Sequence, residues 1–298
     1  MHDGFSDSGG LKIHFTEKGS FKNPPLLISH GLHGNHEYVE SIAEFLSDRF
    51  HVFNVDAPGY GLSQSLGDKF SVDNVAMVFA DFMNGLGHER FYALGVSLGG
   101  SYFLRLSALR PGVLNGLVLL EPLLSQKCLR IKGKSLLKGL FKFTNTPVLR
   151  GSFIRSILAN DMIIKSFLKL RLPKDQRGED AVKYRLGNAR LCDPETYYYS
   201  LLSVFTFDSS SDPVLDLRSI LAYDVEDNIM NTDMLLDTYG KIFPSGSVLK
   251  VTLDSHDHNP MVKPTKEDIS RMCPGILDKI AEVFELTESN ELLEVGRD

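Results

Sequence analysis

The sequence has few cysteines, no large excess of charge of either sign and no apolar stretch long enough to cross a bilayer. Its three cysteines are too few and too scattered for a disulfide framework or a Cys-x-x-Cys metal site, and they favour a reducing compartment. With 32 basic and 38 acidic residues the net charge is −6, which argues against nucleic acid as a partner. The apolar runs are strand-sized, whereas a membrane-spanning helix needs about 20 apolar residues.

The amino terminus does not have the pattern of a secretory signal. Its first ten residues, MHDGFSDSGG, contain acids and glycines where a signal peptide has a basic start and then an apolar run. We therefore expect a cytoplasmic protein. Of the 298 residues 43% are hydrophobic and 23% are charged, which is typical of a folded globular protein with a large core.

Short apolar runs alternate with segments of helical periodicity along most of the chain. Continuous apolar runs are typical of strands that are buried on both faces of a parallel sheet. Six runs fit this pattern: 25–30, 51–56, 91–96, 114–120, 219–223 and 248–253. Apolar residues at i, i+3 and i+4 predict helices in four segments: 38–46, 72–86, 99–109 and 270–284. The alternation predicts an α/β protein with a mostly parallel central sheet flanked by helices.

Residues 125–212 interrupt this alternation. They contain helix-like patches separated by Gly, Pro and Asn, and we interpret them as an inserted helical cap on a core formed by residues 1–124 and 213–298. Between Glu121 and Asp161 there are eight basic residues and no acid: Lys127, Arg130, Lys132, Lys134, Lys138, Lys142, Arg150 and Arg155. The run predicts either a solvated surface or a surface that attracts an anionic substrate or an anionic lipid, because apolar residues stand among the lysines.

The segment Gly95-Val96-Ser97-Leu98-Gly99 follows an apolar run and precedes a helical pattern. A strand, then Gly-x-Ser-x-Gly, then a helix predicts a sharp turn that exposes the serine hydroxyl as a nucleophile. The glycines remove the β-carbons that would collide with the neighbouring strand and helix. At the start of the helix, the N–H of Leu98 can donate to an oxyanion. An ordinary glycine-rich turn is the alternative interpretation.

A nucleophilic serine needs a histidine as base and an acid that orients the histidine. Carboxylates at Asp224, Glu226 and Asp227 follow the 219–223 run, and His256 and His258 follow the next run. Ligands of open α/β sheets bind at the carboxyl ends of the strands. We therefore expect these groups to meet Ser97 at that edge.

Taken together, the motifs resemble the α/β-hydrolase superfamily. The family's His-Gly-x-x-Gly loop after the third strand corresponds to residues 30–34, HGLHG, and its Asp-x-x-Gly-x-Gly-x-Ser turn corresponds to residues 56–63, DAPGYGLS. The resemblance implies an α/β-hydrolase fold with an inserted cap. It also implies that the N–H groups of Leu32 and Leu98 form the oxyanion hole.

The resemblance also implies residues that support the site. Gly31 keeps the loop after the third strand close to the nucleophile, and His30, Gly95 and Gly99 are expected to support it.

The resemblance further implies Asp227 as the acid of the triad. The family's acid lies in Gly-x-x-Asp-Pro-aliphatic after a strand, and residues 224–229, DVEDNI, match best with Asp227 in the acid's place. Asp224, Glu226 and Glu121 stay open as alternatives, the last because some families keep the acid at the end of the sixth strand.

For the base, the family's His-x-Pro pattern matches His258-Asn259-Pro260. His256 is the alternative, although the proline would then come two residues too late.

The implied reaction is hydrolysis of a carboxylic ester or thioester of a small molecule through a Ser-His-Asp triad and an acyl-enzyme, without a cofactor or metal. Alternatives are hydrolysis of a carbon–carbon bond or an amide on the same triad, or a non-catalytic binding protein. A haloalkane dehalogenase or epoxide hydrolase is disfavoured, because the nucleophile of those enzymes is an aspartate. A metal site formed by His256 and His258 with His30, His33 and His36 lacks the spacing of a zinc signature.

Overall fold

The computed structural model describes residues 2–171, 179–251 and 266–285. Within them the centre of the molecule is an eight-stranded sheet. Its strands are β1 (His2–Ser8), β2 (Leu11–Lys18), β3 (Pro25–Ser29), β4 (His51–Val55), β5 (Phe91–Val96), β6 (Leu114–Leu120), β7 (Ser219–Asp224) and β8 (Ser247–Val251). They lie in the order β1-β2-β4-β3-β5-β6-β7-β8. β1, β2 and β4 pair antiparallel and all later pairs are parallel, which confirms the predicted fold class.

Eleven α-helices lie in the described part of the chain. They are α1 (Glu40–Leu46), α2 (Val72–Gly85), α3 (Leu98–Leu109), α4 (Lys134–Thr144), α5 (Pro147–Phe153), α6 (Asp161–Arg171), α7 (Glu179–Arg190), α8 (Pro194–Thr206), α9 (Thr232–Ile242), α10 (Lys266–Met272) and α11 (Ile276–Phe284). Helices α4 to α8 stand between β6 and β7. The division of the chain at 124/125 and 212/213 stays a prediction. None of the described helices is both long enough and apolar enough to span a membrane.

Both faces of the sheet are covered, and each face has its own hydrophobic core. Alternate side chains of one strand enter different cores, as Leu27 and Ile28 of β3 do. The core that contains Leu27 is completed by α2, α3 and α9, and the core that contains Ile28 is completed by α1 and α11. Because β3 to β7 are buried on both faces, their sequences are mostly apolar. This is why these strands could be predicted from their composition.

The amino-terminal hairpin was not predicted. β1 and β2 pair antiparallel from His2 opposite Glu17 to Ser8 opposite Leu11. The sequence of β1, HDGFSDS, has one large apolar residue, Phe5, and most of its side chains are exposed. A strand at the edge of a sheet needs no continuous apolar run, so a search for such runs misses it.

The predicted helix over 270–284 was wrong as one continuous element. The chain forms α10 and α11 instead, and the break falls at Pro274 and Gly275. Proline has no N–H to continue the helical hydrogen bonds, and Gly275 has φ +73°, which lies in the left-handed region. The amphipathic pattern continues across the break because both segments face the same core.

Gly116 of β6 tests the packing of α11 on the sheet. A β-carbon at Gly116 would lie 2.5 Å from the ring of Phe284, which stacks on Tyr92 with 4.8 Å between ring centroids. We expect Gly116→Ala to lower the free energy of unfolding by about 1–3 kcal/mol, because the added methyl group overfills the interface. Urea unfolding monitored by circular dichroism measures this change.

Gly240→Ala is the matched control, because Gly240 lies in α9 and a β-carbon there meets no atom within 4 Å. This variant should gain about 0.5–1 kcal/mol from helix propensity. A Gly116→Ala protein as stable as the native chain would contradict the packing described for Phe284.

Candidate active site

Ser97 lies in the turn between β5 and α3 and has φ 51° and ψ −116°. This region is rarely occupied by residues with a β-carbon, so the turn must be held by its surroundings. The N–H of Ser97 donates to the carbonyl of Leu120 at 3.0 Å, and the carbonyl of Ser97 accepts from the N–H of Leu123 at 3.0 Å. The end of β6 and the chain that follows it therefore fix the serine backbone. The side chain is half-buried.

Glycines allow three chain segments to approach each other around Ser97. A β-carbon on Gly95 would lie 2.5 Å from the backbone nitrogen of Gly100, and one on Gly99 would lie 2.5 Å from the carbonyl oxygen of Ser29. A β-carbon on Gly31 would lie 2.9 Å from Cβ of Ser97. The structure thus brings Gly31, Gly95 and Gly99 close to Ser97, and their role in supporting the site stays a prediction.

The loop after β3 is held by His30 and by a tight turn. His30 is buried, its Nδ1 donates to the carbonyl of Gly31 at 2.8 Å, and its Nε2 accepts from the N–H of Ala57 at 3.1 Å. Burial lowers the pKa of His30, which keeps the ring neutral in this arrangement. The N–H of Gly34 also donates to the Gly31 carbonyl, and the turn that this bond closes contains Leu32.

Leu98 is the first residue of α3, where backbone N–H groups have no partner within the helix. The donation of the Leu98 and Leu32 N–H groups to an oxyanion stays a prediction.

Asp227 and Glu121 form a buried pair of acids. Glu121 directly follows β6, and Asp227 lies in the turn after β7. Oδ1 of Asp227 accepts from the N–H groups of Ile229 and Met230, each at 2.6 Å, and the buried carboxyl group of Glu121 lies within the electrostatic influence of Asp227. Two buried carboxylates beside each other repel, which favours a proton on one of the pair.

Glu121 is the protonated member of the pair. Burial and the neighbouring charge of Asp227 raise the pKa of Glu121 to about 10. Two backbone N–H groups donate to Oδ1 of Asp227, whereas no such pair donates to Glu121. The sequence had identified both residues as candidate acids, but it gave no sign that they touch.

The other two candidate acids on the same turn have different surroundings. Asp224 accepts from the N–H of Glu226 at 2.9 Å through Oδ1, so its side chain stabilises the turn itself, and its own N–H donates to Glu121. Glu226 is exposed. Asp224 and Asp227 are both buried, and of these two charges that of Asp227 has the larger effect on Glu121.

The predicted base, His258, and its alternative, His256, lie outside the described residues. So do Asn259 and Pro260, on which the choice between the two histidines rests. His258 as the base therefore stays a prediction.

His33 connects the loop after β3 to the cap. It has φ 65°, and its Nε2 shares a hydrogen bond with the hydroxyl of Tyr197 in α8. Their rings are 5.1 Å apart between centroids. Tyr197 is buried, which raises the pKa of its hydroxyl. Tyr197 therefore contacts the loop as a neutral hydrogen-bonding group. The sequence did not predict this contact.

One group of potential metal ligands occurs in the described part of the chain, at His14, His36 and Asp56. The three ligand atoms lie within 4.8 Å of one another. They are hydrogen-bonded to each other: Nδ1 of His14 is 2.8 Å from Oδ2 of Asp56, and Nδ1 of His36 is 2.9 Å from Oδ1. Nε2 of His14 is 2.8 Å from Asp3, so both nitrogens of this ring donate to carboxylates and neither offers a lone pair to a metal.

The same network fixes the turn over residues 56–63. Despite the cost of burial, hydrogen bonds from His14 and His36 hold the pKa of Asp56 below its usual range, and the hydrogen bond to Asp56 raises the pKa of His14. Asp56 also accepts from the N–H groups of Leu62 and His36, at 2.9 and 2.6 Å. These residues thus form a charged structural network that joins β2 to the two loops of the site.

The Glu121–Asp227 pair predicts a pH-dependent stability. Glu121 binds its proton more tightly in the folded chain than in the unfolded chain, where its pKa is about 4.5, so stability should fall as the pH rises between these two pKa values. Glu121→Gln removes this titration but keeps an N–H donor for Asp227. Relative to the variant, the native protein should lose up to about 1.4 kcal/mol of unfolding free energy per pH unit between about pH 5 and pH 9.

Urea unfolding at several pH values measures the difference. The control is Glu226→Gln, which neutralises an exposed acid on the same turn and should change the pH dependence little. Parallel stability curves for the native protein and Glu121→Gln would contradict a buried proton on Glu121.

Comparisons with known proteins agree with this fold. A family model described as alpha/beta hydrolase fold matches residues 24–156, which include β3, β4, β5 and the Ser97 turn but not Asp227 or His258. Among solved structures, a thermophilic esterase from Thermogutta terrifontis superposes with a TM-score of 0.71 at 17% identity, over 95% of this chain and 100% of that protein.

Two curated proteins align with part of the chain. Haloalkane dehalogenase 2 of Mycobacterium tuberculosis is 31% identical over 114 residues, which are 38% of this chain and 39% of that protein. Pimeloyl-[acyl-carrier protein] methyl ester esterase of Nitrosomonas europaea is 34% identical over 107 residues, 36% of this chain and 40% of that protein. The chain thus matches about two fifths of the length of these relatives. The sheet order and these matches together show that the chain has an α/β-hydrolase fold.

Proposed function

We propose that the protein is a serine hydrolase that cleaves a carboxylic ester or thioester through an acyl-enzyme. The observation that carries the proposal is the backbone of Ser97, which has φ 51° between a buried strand and a helix start. A strained turn of this kind is retained where it exposes a reacting group. The similarity to an esterase of Nitrosomonas europaea supports the same reaction class.

In the proposed mechanism the hydroxyl of Ser97 attacks the carbonyl carbon while His258 accepts its proton. Asp227 orients the imidazole and stabilises its charged form. The N–H groups of Leu98 and Leu32 donate to the oxyanion, and one such donor is typically worth about 3–4 kcal/mol of barrier. His258 then protonates the leaving group. Finally it activates the water that hydrolyses the acyl-enzyme.

Glu121 acts on this mechanism through Asp227. A neutral Glu121 can donate to Asp227, whereas a second charged acid would repel the Asp227 carboxylate. The triad acid must stay ionised in order to stabilise an imidazolium. We therefore assign Asp227 as the acid and Glu121 as its positioning partner.

The similarity to a haloalkane dehalogenase does not extend to the reacting atom. In haloalkane dehalogenases and epoxide hydrolases the nucleophile is an aspartate, which forms an ester that water can cleave. A serine that displaced a halide would form an ether, which this machinery does not hydrolyse. Ser97 therefore favours acyl transfer over either reaction.

Labelling with a fluorophosphonate probe tests the nucleophile. The native protein should be labelled, and Ser97→Ala should lose both labelling and at least about 10³-fold of its turnover of a p-nitrophenyl ester, because the attacking oxygen is gone. Ser47→Ala, at the end of α1, is the matched control and should keep both. A native protein that is not labelled would instead support a non-catalytic binding protein, and labelling that persists in Ser97→Ala would place the nucleophile elsewhere.

The two acids can be distinguished by kinetics. Asp227→Asn should lower kcat by about 10²–10⁴-fold, because the neutral amide no longer stabilises the imidazolium. Glu121→Gln should stay within about tenfold of the native kcat, since the amide can donate as the protonated acid does. Steady-state kinetics on the same ester measures both variants. The reverse pattern would identify Glu121 as the acid of the triad.

A further inference from the structure

Helix α4 presents apolar side chains to solvent. Leu136 is 78% exposed, Phe143 is 70% exposed, and Leu140 between them is also exposed. Their spacing of four and then three residues places all three on one face of the helix. We name them the α4 stripe. Val148, near the start of α5, is a further exposed apolar residue at 77%.

The opposite face of α4 is anchored on the cap. Phe141 is buried and stacks on Phe205 of α8 with 5.7 Å between ring centroids. The hydroxyl of Tyr198 donates to the carbonyl of Phe141 at 2.7 Å and also bonds with the hydroxyl of Thr144. Because this packing fixes the rotation of the helix, the α4 stripe is directed away from the protein.

Three of the eight basic residues in this part of the cap have partners within the protein. Lys127 pairs with Asp208 at 2.8 Å, and Arg150 pairs with Glu195 at 2.9 Å. The ammonium group of Lys134 donates to three backbone carbonyls.

The remaining five form no ion pair with any residue that the structure describes: Arg130, Lys132, Lys138, Lys142 and Arg155. Lys138 and Lys142 belong to α4 itself, on the side of the helix away from the α4 stripe. The sequence from 122 to 160 contains no acid that could neutralise them locally.

We propose that the α4 stripe and the unpaired basic residues of the same segment dock this protein on an anionic lipid surface. Apolar side chains on one face of a helix and lysines on its other face are the arrangement of helices that lie in the membrane interface, where the apolar side chains enter the acyl boundary and the cations meet anionic headgroups. A second copy of the chain fits less well. In a twofold dimer this face would meet itself and bring the same cations together. The inference does not depend on the proposed hydrolase activity.

Co-sedimentation of the full chain with vesicles tests the proposal. The probes are vesicles of phosphatidylcholine alone and vesicles of phosphatidylcholine with phosphatidylserine. We expect at least about tenfold tighter binding to the anionic vesicles, with an advantage that decreases as salt is added. Equal binding to both, or binding to neither, would overturn the proposal.

Two double variants separate the apolar contribution from the electrostatic one. Leu136→Ser/Phe143→Ser should weaken binding to the anionic vesicles about tenfold or more. Lys138→Gln/Lys142→Gln should do the same and should reduce the salt dependence.

The matched controls change exposed residues of the core region. Phe21→Ser removes an apolar side chain that is 80% exposed, and Lys12→Gln/Lys69→Gln removes two exposed charges. Both should bind as the native protein does. All variants should keep the native unfolding midpoint, which shows that a loss of binding is not a loss of fold.

Sedimentation velocity without lipid examines the competing occupant. We expect Leu136→Ser/Phe143→Ser to have the same oligomeric state as the native protein. A dimer that this variant dissociates, together with absent vesicle binding, would show that a second copy covers the α4 stripe and would overturn the lipid proposal.

Discussion

The positive φ of Ser97 is the constraint on which the rest of the site depends. A residue with a β-carbon in this region costs about 1–3 kcal/mol, so the conformation exists only where neighbours hold it. Here the N–H of Ser97 bonds to the end of β6, and its carbonyl accepts from the chain beyond. Glycines at 31, 95 and 99 then allow β3, β5 and α3 to approach the serine more closely than any β-carbon would permit. The turn is therefore a property of four chain segments rather than of one motif.

The pair of acids follows from the same edge of the sheet. β6 and β7 are neighbouring parallel strands, and the chain leaves the sheet after β6 to form α4 to α8 before it returns as β7. At the base of that excursion the N–H of Glu121 donates to the carbonyl of Ala222, and the Glu121 side chain accepts from the N–H of Asp224. Glu121 thus connects the end of β6, which accepts a hydrogen bond from Ser97, with the turn that contains Asp227. Its proton allows a second acid to be buried beside Asp227 without a second charge.

Sequence patterns located the elements whose physical cause is local. The strands buried on both faces were visible as apolar runs, and the serine turn was visible because glycine is required there. The edge hairpin β1–β2 was missed because an edge strand is half exposed and needs no apolar run. The contact between Glu121 and Asp227 could not be predicted, since 106 positions separate them and only the pairing of β6 with β7 brings them together. The hydrogen bonds of Lys134 could not be predicted either, because the positions of the carbonyls that accept them depend on the path of the preceding turn.

The cap is attached to the core by contacts that also reach the site. Helix α8 packs against the buried face of α4 through Tyr198 and Phe205. Tyr197, which precedes Tyr198 in the same helix, forms a hydrogen bond with His33 in the loop after β3. That loop is the one in which Gly31 approaches Ser97. A helix of thirteen residues thus supports both the exposed apolar face of the cap and one wall of the site. Because Tyr197 and Tyr198 are neighbours on α8, a shift of α8 would disturb both the packing of α4 and the hydrogen bond to His33. The orientation of the cap surface and the geometry beside the nucleophile are therefore fixed by the same helix.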